Sequence, residues 1–395
     1  MEALRVSFAW RFAFVLAIAC CFVPAQSMRA QSFHVIHNFT GGTDGANPLN
    51  GLMTGAGGYM YGTASTGGAY NNGTVFRIGL LGDFQTIYAF RGGSDGSSPQ
   101  GLLTEDSSGH LYGTTAEGGS FGGGTVFRIA NNVKTILHSF GGGADGTTPL
   151  AGLVFDTAGN LYGTTSTGGA NGNGTVFVLS PAGALWKEKI LYSFGTGTDG
   201  ATPYAAVALD SAGDVLGTTS AGGSAGFGTI FQLTKAHSWA ETIVYNFTNQ
   251  DDGAVPYGGL LGDGHGNFYG TATEGGSQGG GSIFELTPAG SGWNFTAIQS
   301  LAGWGISGTF RNLMLSPSGT IYATTHCDGE YDAGTVYELV PGSGGTWTYT
   351  QLYTFTGGTD GLYSFSNVVM LANRLYGTTN QGGANGDGVV FYVTP

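Results

Sequence analysis

Few side chains in this sequence could do acid–base, metal or nucleophilic chemistry, because only 9% of its 395 residues are charged. Six acids recur in one fixed setting: Asp44, Asp95, Asp145, Asp199, Asp252 and Asp360, each followed by glycine. Six carboxylates at one end of a repeated unit could hold a cation or bind sugar hydroxyls. The same pattern also has a structural meaning. A turn aspartate accepts hydrogen bonds from backbone N–H groups two residues on and fixes the turn before the glycine. A feature carried by nearly every copy serves every copy, so the structural meaning is preferred for these six.

A second group breaks the repetition. Residues 325–332 read Thr-His-Cys-Asp-Gly-Glu-Tyr-Asp, so His326, Cys327, Asp328, Glu330 and Asp332 fall within seven residues. An imidazole, a thiol and three carboxylates suit a bound cation, although no EF-hand or two-histidine helix spacing is met. Trp304 and Arg311 stand just upstream, where Ser307 replaces the turn aspartate. An aromatic platform beside hydrogen-bonding acids suits a sugar ring. The plainer reading is one drifted copy with a solvated acidic loop. Glu117 and Glu274 are the other loop acids able to face the same end. His37 and His138 occupy positions where Tyr192 and Tyr245 stand elsewhere, and are expected to pack. No Ser/His/Asp order or nucleophile elbow is present. The glycine-rich stretches lead into no helix, which removes a nucleotide-binding reading. No cofactor is expected beyond a cation in this sixth copy.

The elements that must position these residues are set by a repeat. Residues 161–165, Leu-Tyr-Gly-Thr-Thr, precede a glycine-rich loop and then Gly-Thr-Val-Phe at 174–177. The tyrosine position recurs as Tyr61, Tyr112, Tyr162, Leu216, Tyr269, Tyr322 and Tyr376. The glycine 12 residues later recurs as Gly73, Gly124, Gly174, Gly228, Gly281, Gly334 and Gly388. Copies are 50 to 54 residues apart, a period of repeat architectures. Within residues 136–189 four short β-branched and aromatic runs alternate with turn signals, and no helical period appears. Four-stranded units repeated radially make a β-propeller. The fold expected is therefore all-β, with seven blades. Strands are lettered from the axis outward: A is the Gly-Leu run, B the Tyr-Gly-Thr run, C the Thr-Val-Phe run and D the Ile-Leu-x-x-Phe run. Adjoining valine and phenylalanine in strand C imply burial of both faces.

Residues 34–39 match a D strand, whereas residues 391–395 end on a C strand. Pairing the two would complete the seventh blade and leave no open edge at the seam. One domain over residues 33–395 is expected. Residues 1–25 read as an export signal, with Arg5 and Arg11 before an apolar run at 12–23; cleavage is expected after Ala25, or as late as Ala30. Cys20 and Cys21 leave with it, so Cys327 has no disulfide partner. A secreted location, extracellular or periplasmic, follows.

Residues 161–177 resemble the Gloeo/Verruco (GloVer) tandem-repeat family, and the likeness covers residues 34–395. The resemblance implies a secreted bacterial β-propeller-like repeat protein of the choice-of-anchor type, without an assigned reaction. Many members carry a variable C-terminal surface anchor, whereas this sequence ends inside its last blade.

Composition narrows the partners. Glycine is 76 of 395 residues without a collagen period, and the net charge is −13 with no basic stripe. Nucleic acid and anionic membrane are unsuited partners, no transmembrane segment is expected in the mature chain, and a monomer is expected. Two functions stand. The first is a non-enzymatic binding or scaffolding propeller for a glycan or surface protein. The second is a carbohydrate-active hydrolase or lyase, which needs two carboxylates about 5–9.5 Å apart. Glu117, Glu274, Asp328 and Glu330 are its candidates. Deleting residues 33–39 is expected to expose the edge of the last blade and cause early melting or aggregation, read by thermal denaturation with light scattering. Unchanged stability would contradict closure through this strand.

Overall fold

The computed structural model describes residues 31–141, 144–183, 185–195, 198–290, 292–303, 309 and 313–395. The expected export signal lies outside the described residues. The remainder is a seven-bladed β-propeller of four-stranded antiparallel sheets. In blade 3, strand A is Val154–Phe155, B is Leu161–Thr165, C is Thr175–Ala182 and D is Leu185–Ser193, hydrogen-bonded in that order. Strand A is shorter than the expected run from residue 152. Gly152 is pressed against the neighbouring blade, and a Cβ there would lie 2.7 Å from the Leu102 carbonyl oxygen. Crowding of backbones near the axis leaves only two residues free to ladder.

Strand C is buried on both faces: Val176, Phe177 and Leu179 are fully buried. A bulge between Val176 and Phe177 re-aims the chain toward strand D, and the same bulge recurs between Val126 and Phe127 and between Ile230 and Phe231. Strand B supplies the complementary gap. A Cβ on Gly163 would lie 2.5 Å from Phe177 Cζ and 2.8 Å from Leu153 Cδ2, so the phenylalanine ring fills the space that glycine leaves. Blade 6 departs from this pairing. Ala323 faces Tyr337, and the Tyr337 hydroxyl lies 2.7 Å from Thr309 Oγ1. Thr309 precedes Leu313 by four residues, as Pro149 precedes Leu153. Three substitutions in one blade thus occur together around one buried hydroxyl.

The glycine that opens each C strand has φ between +93° and +100° in all seven blades. At Gly174 a Cβ would lie 2.4 Å from the Thr165 carbonyl oxygen and 2.7 Å from Pro203 Cδ of the next blade. Both backbone conformation and space therefore require glycine.

Blades pack face to face. Tyr112, Val126 and Phe140 of blade 2 share a core with Leu153, Leu161 and Phe177 of blade 3. At the seam, Phe33–Asn38 pairs antiparallel with Val389–Val393. Leu52, Met60 and Phe76 of blade 1 pack with Tyr376 and Val390 of blade 7.

Buried threonines tie blade to blade. The first threonine of the B-strand pair donates to a carbonyl in the A segment of the next blade: Thr114 to Ala151 at 2.8 Å, Thr164 to Ala205 at 2.9 Å, Thr218 to Gly258 at 2.9 Å. Thr271 to Thr309 at 3.0 Å, Thr324 to Ser366 at 2.7 Å and Thr378 to Asn50 at 3.0 Å continue the series around the ring. Between blades 1 and 2 the Thr63 hydroxyl is buried without a partner, and Asn50 Nδ2 instead donates to the Gln100 carbonyl at 3.0 Å. Thr164→Val should leave the Ala205 carbonyl unpaired and cost about 1–3 kcal/mol. Thr63→Val breaks no such bond and should be close to neutral. Equal losses in chemical denaturation would contradict this account.

Candidate functional site

The D-to-A turns and the B-to-C loops meet at one mouth of the ring. Gly146–Thr147 pairs with Thr167–Gly168, Gly200–Ala201 pairs with Ala221–Gly222, and single bridges join Ala46 to Thr66, Ser97 to Glu117 and Ala254 to Glu274. Each turn aspartate bonds a D-strand residue seven positions earlier. His37 Nε2 lies 3.1 Å from Asp44 and His138 Nε2 lies 3.0 Å from Asp145. The hydroxyls of Tyr88, Tyr192, Tyr245 and Tyr353 donate to Asp95, Asp199, Asp252 and Asp360 at 2.9, 3.1, 3.2 and 2.9 Å.

The backbone partners differ from the expected N–H two residues on. Asp44, Asp95, Asp252 and Asp360 accept from the N–H four residues behind, at 3.1, 2.8, 2.7 and 2.8 Å. Asp199 accepts likewise from Gly195. Asp145 and Asp199 also accept from the following glycine N–H at 2.8 Å. The turn folds back on strand D, so its inward-pointing donors precede the acid. His37 and His138 both pack and hydrogen-bond: the His37 ring stacks on Phe84 at 3.9 Å and 7°.

The blade 6 residues separate into two groups. His326 is 7% exposed and stacks on Tyr363 at 4.6 Å and 15°, with Phe365 at 4.1 Å. Burial pushes its pKa down to about 4, so the imidazole is neutral at physiological pH. Asp328 turns the other way, into a cleft of about 150 Å³ lined by Gln278, Gln299, Tyr349 and Gln351. Burial, and then the charge of Asp332, raises the Asp328 pKa. Glu330 and Asp332 are exposed. Trp304, Ser307 and Arg311 lie outside the described residues. On the other blades, Glu117 is exposed and Glu274 is half-buried.

Symmetry breaks elsewhere too, at the axis. The residue following the A-segment proline is Leu49, Gln100 and Leu150 in blades 1 to 3, but Tyr204 and Tyr257 in blades 4 and 5, and Phe365 at the equivalent place in blade 7. Tyr204 and Tyr257 meet edge to face at 4.8 Å and 69°. Burial, Tyr204 and Glu274, in that order, raise the Tyr257 pKa, so Glu274 stands near this pair. Tyr257 also lines a cavity of about 270 Å³ walled by Asn50, Leu103, Ala151 and Ala205. Tyr363, Phe365 and His326 make a second group on blades 6 and 7, and the two groups on consecutive blades are termed the aromatic arc. Half-buried aromatic faces beside a few polar groups can hold a flat, partly apolar ligand. Reading one repeat at a time hid the arc, because its members are spread over blades 4 to 7. Aligning the position after the proline in all seven copies would have found Tyr204, Tyr257 and Phe365.

A larger cleft of about 700 Å³ opens at the other end of the ring, between blades 4 and 5, beside His265, Asn267, Phe268 and Trp293. Trp293 donates to Gln232 Oε1 at 3.1 Å and meets Phe268 at 5.5 Å. Through Gln232 it reaches the preceding blade, as Trp186 and Trp347 do through Tyr112 and Tyr269, so this tryptophan belongs to the recurring inter-blade packing.

Comparison with known proteins supports the fold. The extracellular domain of a hybrid two-component system of B. thetaiotaomicron aligns with a TM-score of 0.58 at 13% identity, over 92% of this chain and 42% of that one. The extracellular domain of a one-component system from the same organism aligns with a TM-score of 0.56 at 13% identity, over 91% and 42%. This chain therefore spans about two fifths of either protein, and at such identity the likeness is one of fold. No curated protein matches the sequence. No helix among the described residues is long and apolar enough to cross a membrane. A family model for the Gloeobacter/Verrucomicrobia repeat matches residues 25–224, 135–326 and 202–395. Those overlapping matches run through every blade, and the chain belongs to the Gloeobacter/Verrucomicrobia repeat family.

Proposed function

We propose that this protein is a secreted, non-enzymatic binding propeller that takes a glycan at the mouth of the ring, on the aromatic arc of blades 4 to 7. The observation that carries this reading is the one-sided distribution of Tyr204, Tyr257 and Phe365 where blades 1 to 3 place Leu49, Gln100 and Leu150, with Tyr363 two residues before Phe365 adding a further ring. Repeated residues are accounted for by strand, turn and packing needs, so specificity resides where the copies differ. The apolar face of a sugar ring suits such half-buried rings, and the neutral His326 and nearby Glu274 supply hydrogen-bonding groups. Residues 1–25 support the secreted location through their basic start and apolar run at 12–23.

The competing hydrolase reading draws on acids spread over three blades: Glu117 on blade 2, Glu274 on blade 5, and Asp328 and Glu330 on blade 6. Asp328 faces the outer-strand residues Tyr349 and Gln351. Binding is therefore preferred. On a printed array of neutral and acidic oligosaccharides, the mature protein should retain a defined subset. Tyr257→Ala and Phe365→Ala should each weaken that binding roughly tenfold, a loss of about 1.4 kcal/mol, without lowering the melting temperature by more than a few degrees. Binding unmoved by both changes would place the site elsewhere. Release of new reducing ends from a bound oligosaccharide would establish catalysis in its place.

A further inference from the structure

At six of the seven inter-blade contacts between D strands the same two positions meet, and between blades 5 and 6 Gln299 takes the first of them. One is the tyrosine or histidine that bonds the turn aspartate. The other lies six residues before the terminal phenylalanine of the next D strand, or its equivalent, and faces the first. At three of the seven contacts this facing residue is phenylalanine in flat stacking: His37 on Phe84 at 3.9 Å, Tyr245 on Phe295 at 3.8 Å and Tyr353 on Phe33 at 3.9 Å. Between blades 1 and 2 it is Lys134, whose ammonium reaches Asp95 at 2.7 Å and lies 5.4 Å from the Tyr88 ring centre. There the protein supplies its own cation. Burial of Asp95 opposes its ionisation, but the hydrogen bonds from Lys134 and the Arg91 N–H outweigh this and hold its pKa below the usual range.

Between blades 2 and 3 the same position carries the opposite charge. Glu188 stands where Lys134 stands one blade earlier, with Glu188 Oε2 3.6 Å and Asp145 Oδ2 3.0 Å from His138 Nε2. Ligand atoms of all three residues lie within 4.8 Å of one another, and no other group of three such residues does so among the described residues. The side chains are sheltered: His138 is 21%, Asp145 10% and Glu188 15% exposed. Glu188 Oε1 is shut off from solvent with no hydrogen-bond partner. The neighbouring cations Lys187 and Lys189 are exposed on the opposite face of the strand, where alternation directs them. Two carboxylates thus share a sheltered pocket with one imidazole and without an ammonium. Burial, followed by the charge of Asp145, pushes the Glu188 pKa up to about 7.

We propose that His138, Asp145 and Glu188 form a binding site for a first-row divalent cation, of the Zn²⁺ or Mn²⁺ kind, that clamps blade 2 to blade 3. One imidazole nitrogen and two carboxylate oxygens are a ligand set for such ions. Bonds of about 2.0–2.2 Å place neighbouring ligands roughly 3–3.5 Å apart, close to the separations from the imidazole nitrogen. The cation would take the electrostatic part that Lys134 plays between blades 1 and 2. The contact between blades 3 and 4 is a built-in control. It keeps a half-buried glutamate, Glu241, beside Asp199, but offers the phenol of Tyr192 in place of imidazole.

The test is titration calorimetry of the EDTA-stripped mature protein with ZnCl₂ and with MnCl₂ at pH 7.5, alongside thermal melting. Wild type is expected to bind one equivalent and to melt at a higher temperature with metal. His138→Tyr, which copies the blade 3 residue and keeps its hydrogen bond to the turn acid, should abolish both effects, as should Glu188→Gln. Glu241→Gln should retain both. The pH dependence gives an independent reading. A carboxyl whose folded pKa is raised favours the folded state below its unfolded pKa of about 4.3, and that stability is lost as pH rises to about 7. Stripped wild type should therefore lose stability across this window, Glu188→Gln should lose less, and added metal should reverse the loss in wild type alone. No uptake by wild type at millimolar metal, or uptake that survives both His138→Tyr and Glu188→Gln, would overturn the proposal.

Discussion

The structure depends on hydroxyl-to-carbonyl bonds buried between sheets that meet mainly through side-chain packing. A propeller blade has no backbone ladder to its neighbour. Its register against the next blade must be set by contacts that are directional and shielded from water. The threonines at Thr114, Thr164, Thr218, Thr271, Thr324 and Thr378 meet both conditions, each almost wholly buried and each bonded across the interface. Phenylalanines dominate the largest fully buried side chains. Because apolar packing is non-directional, it would tolerate small rotations between blades that the threonine bonds do not. The glycine of the same strand belongs to this arrangement, since the space above Gly163 is where the Phe177 ring lies.

Much of this was legible in the sequence because a period of about 50 residues presents the same constraint seven times. Blade number, strand order and the burial of tyrosine and phenylalanine all follow from repetition and alternation. What escaped was set by neighbours far apart in the chain. Strand A shrank to two residues because Gly152 abuts Leu102 of another blade. The turn aspartates bond backward to strand D, a matter of how the turn folds over, which residue types alone do not report. His326 reads as part of an acidic loop, yet its ring turns inward to Tyr363 and Phe365, nearly forty residues further on. Glu188 looks like an unremarkable member of an alternating Lys-Glu-Lys strand. Only the facing blade reveals a second carboxylate and an imidazole beside it.

Departures from the repeat have two distinct physical origins here. Some are compensated locally, as where Ala323, Tyr337 and Thr309 change together around one buried hydroxyl. Others have no local compensation, such as the aromatic arc at the mouth or the glutamates among the D strands. The first kind preserves packing by another route. The second kind places groups where packing alone gives no reason for them, and such positions are the informative ones in a repeat protein.

The seam has a consequence in time. Phe33 pairs with Val393, and Ser32 lies 3.0 Å from the Thr394 hydroxyl, across 362 positions of chain. Six blades are each drawn from one continuous stretch, so they can form one after another as the chain becomes available. The seventh cannot begin to complete itself until its final strand has arrived. Its outermost strand must meanwhile wait with unpaired backbone groups. A contact of such sequence separation closes slowly relative to local hairpins. The interval between the sixth blade and the seventh is therefore when an unpaired strand edge is open to proteolysis and to pairing with a second chain.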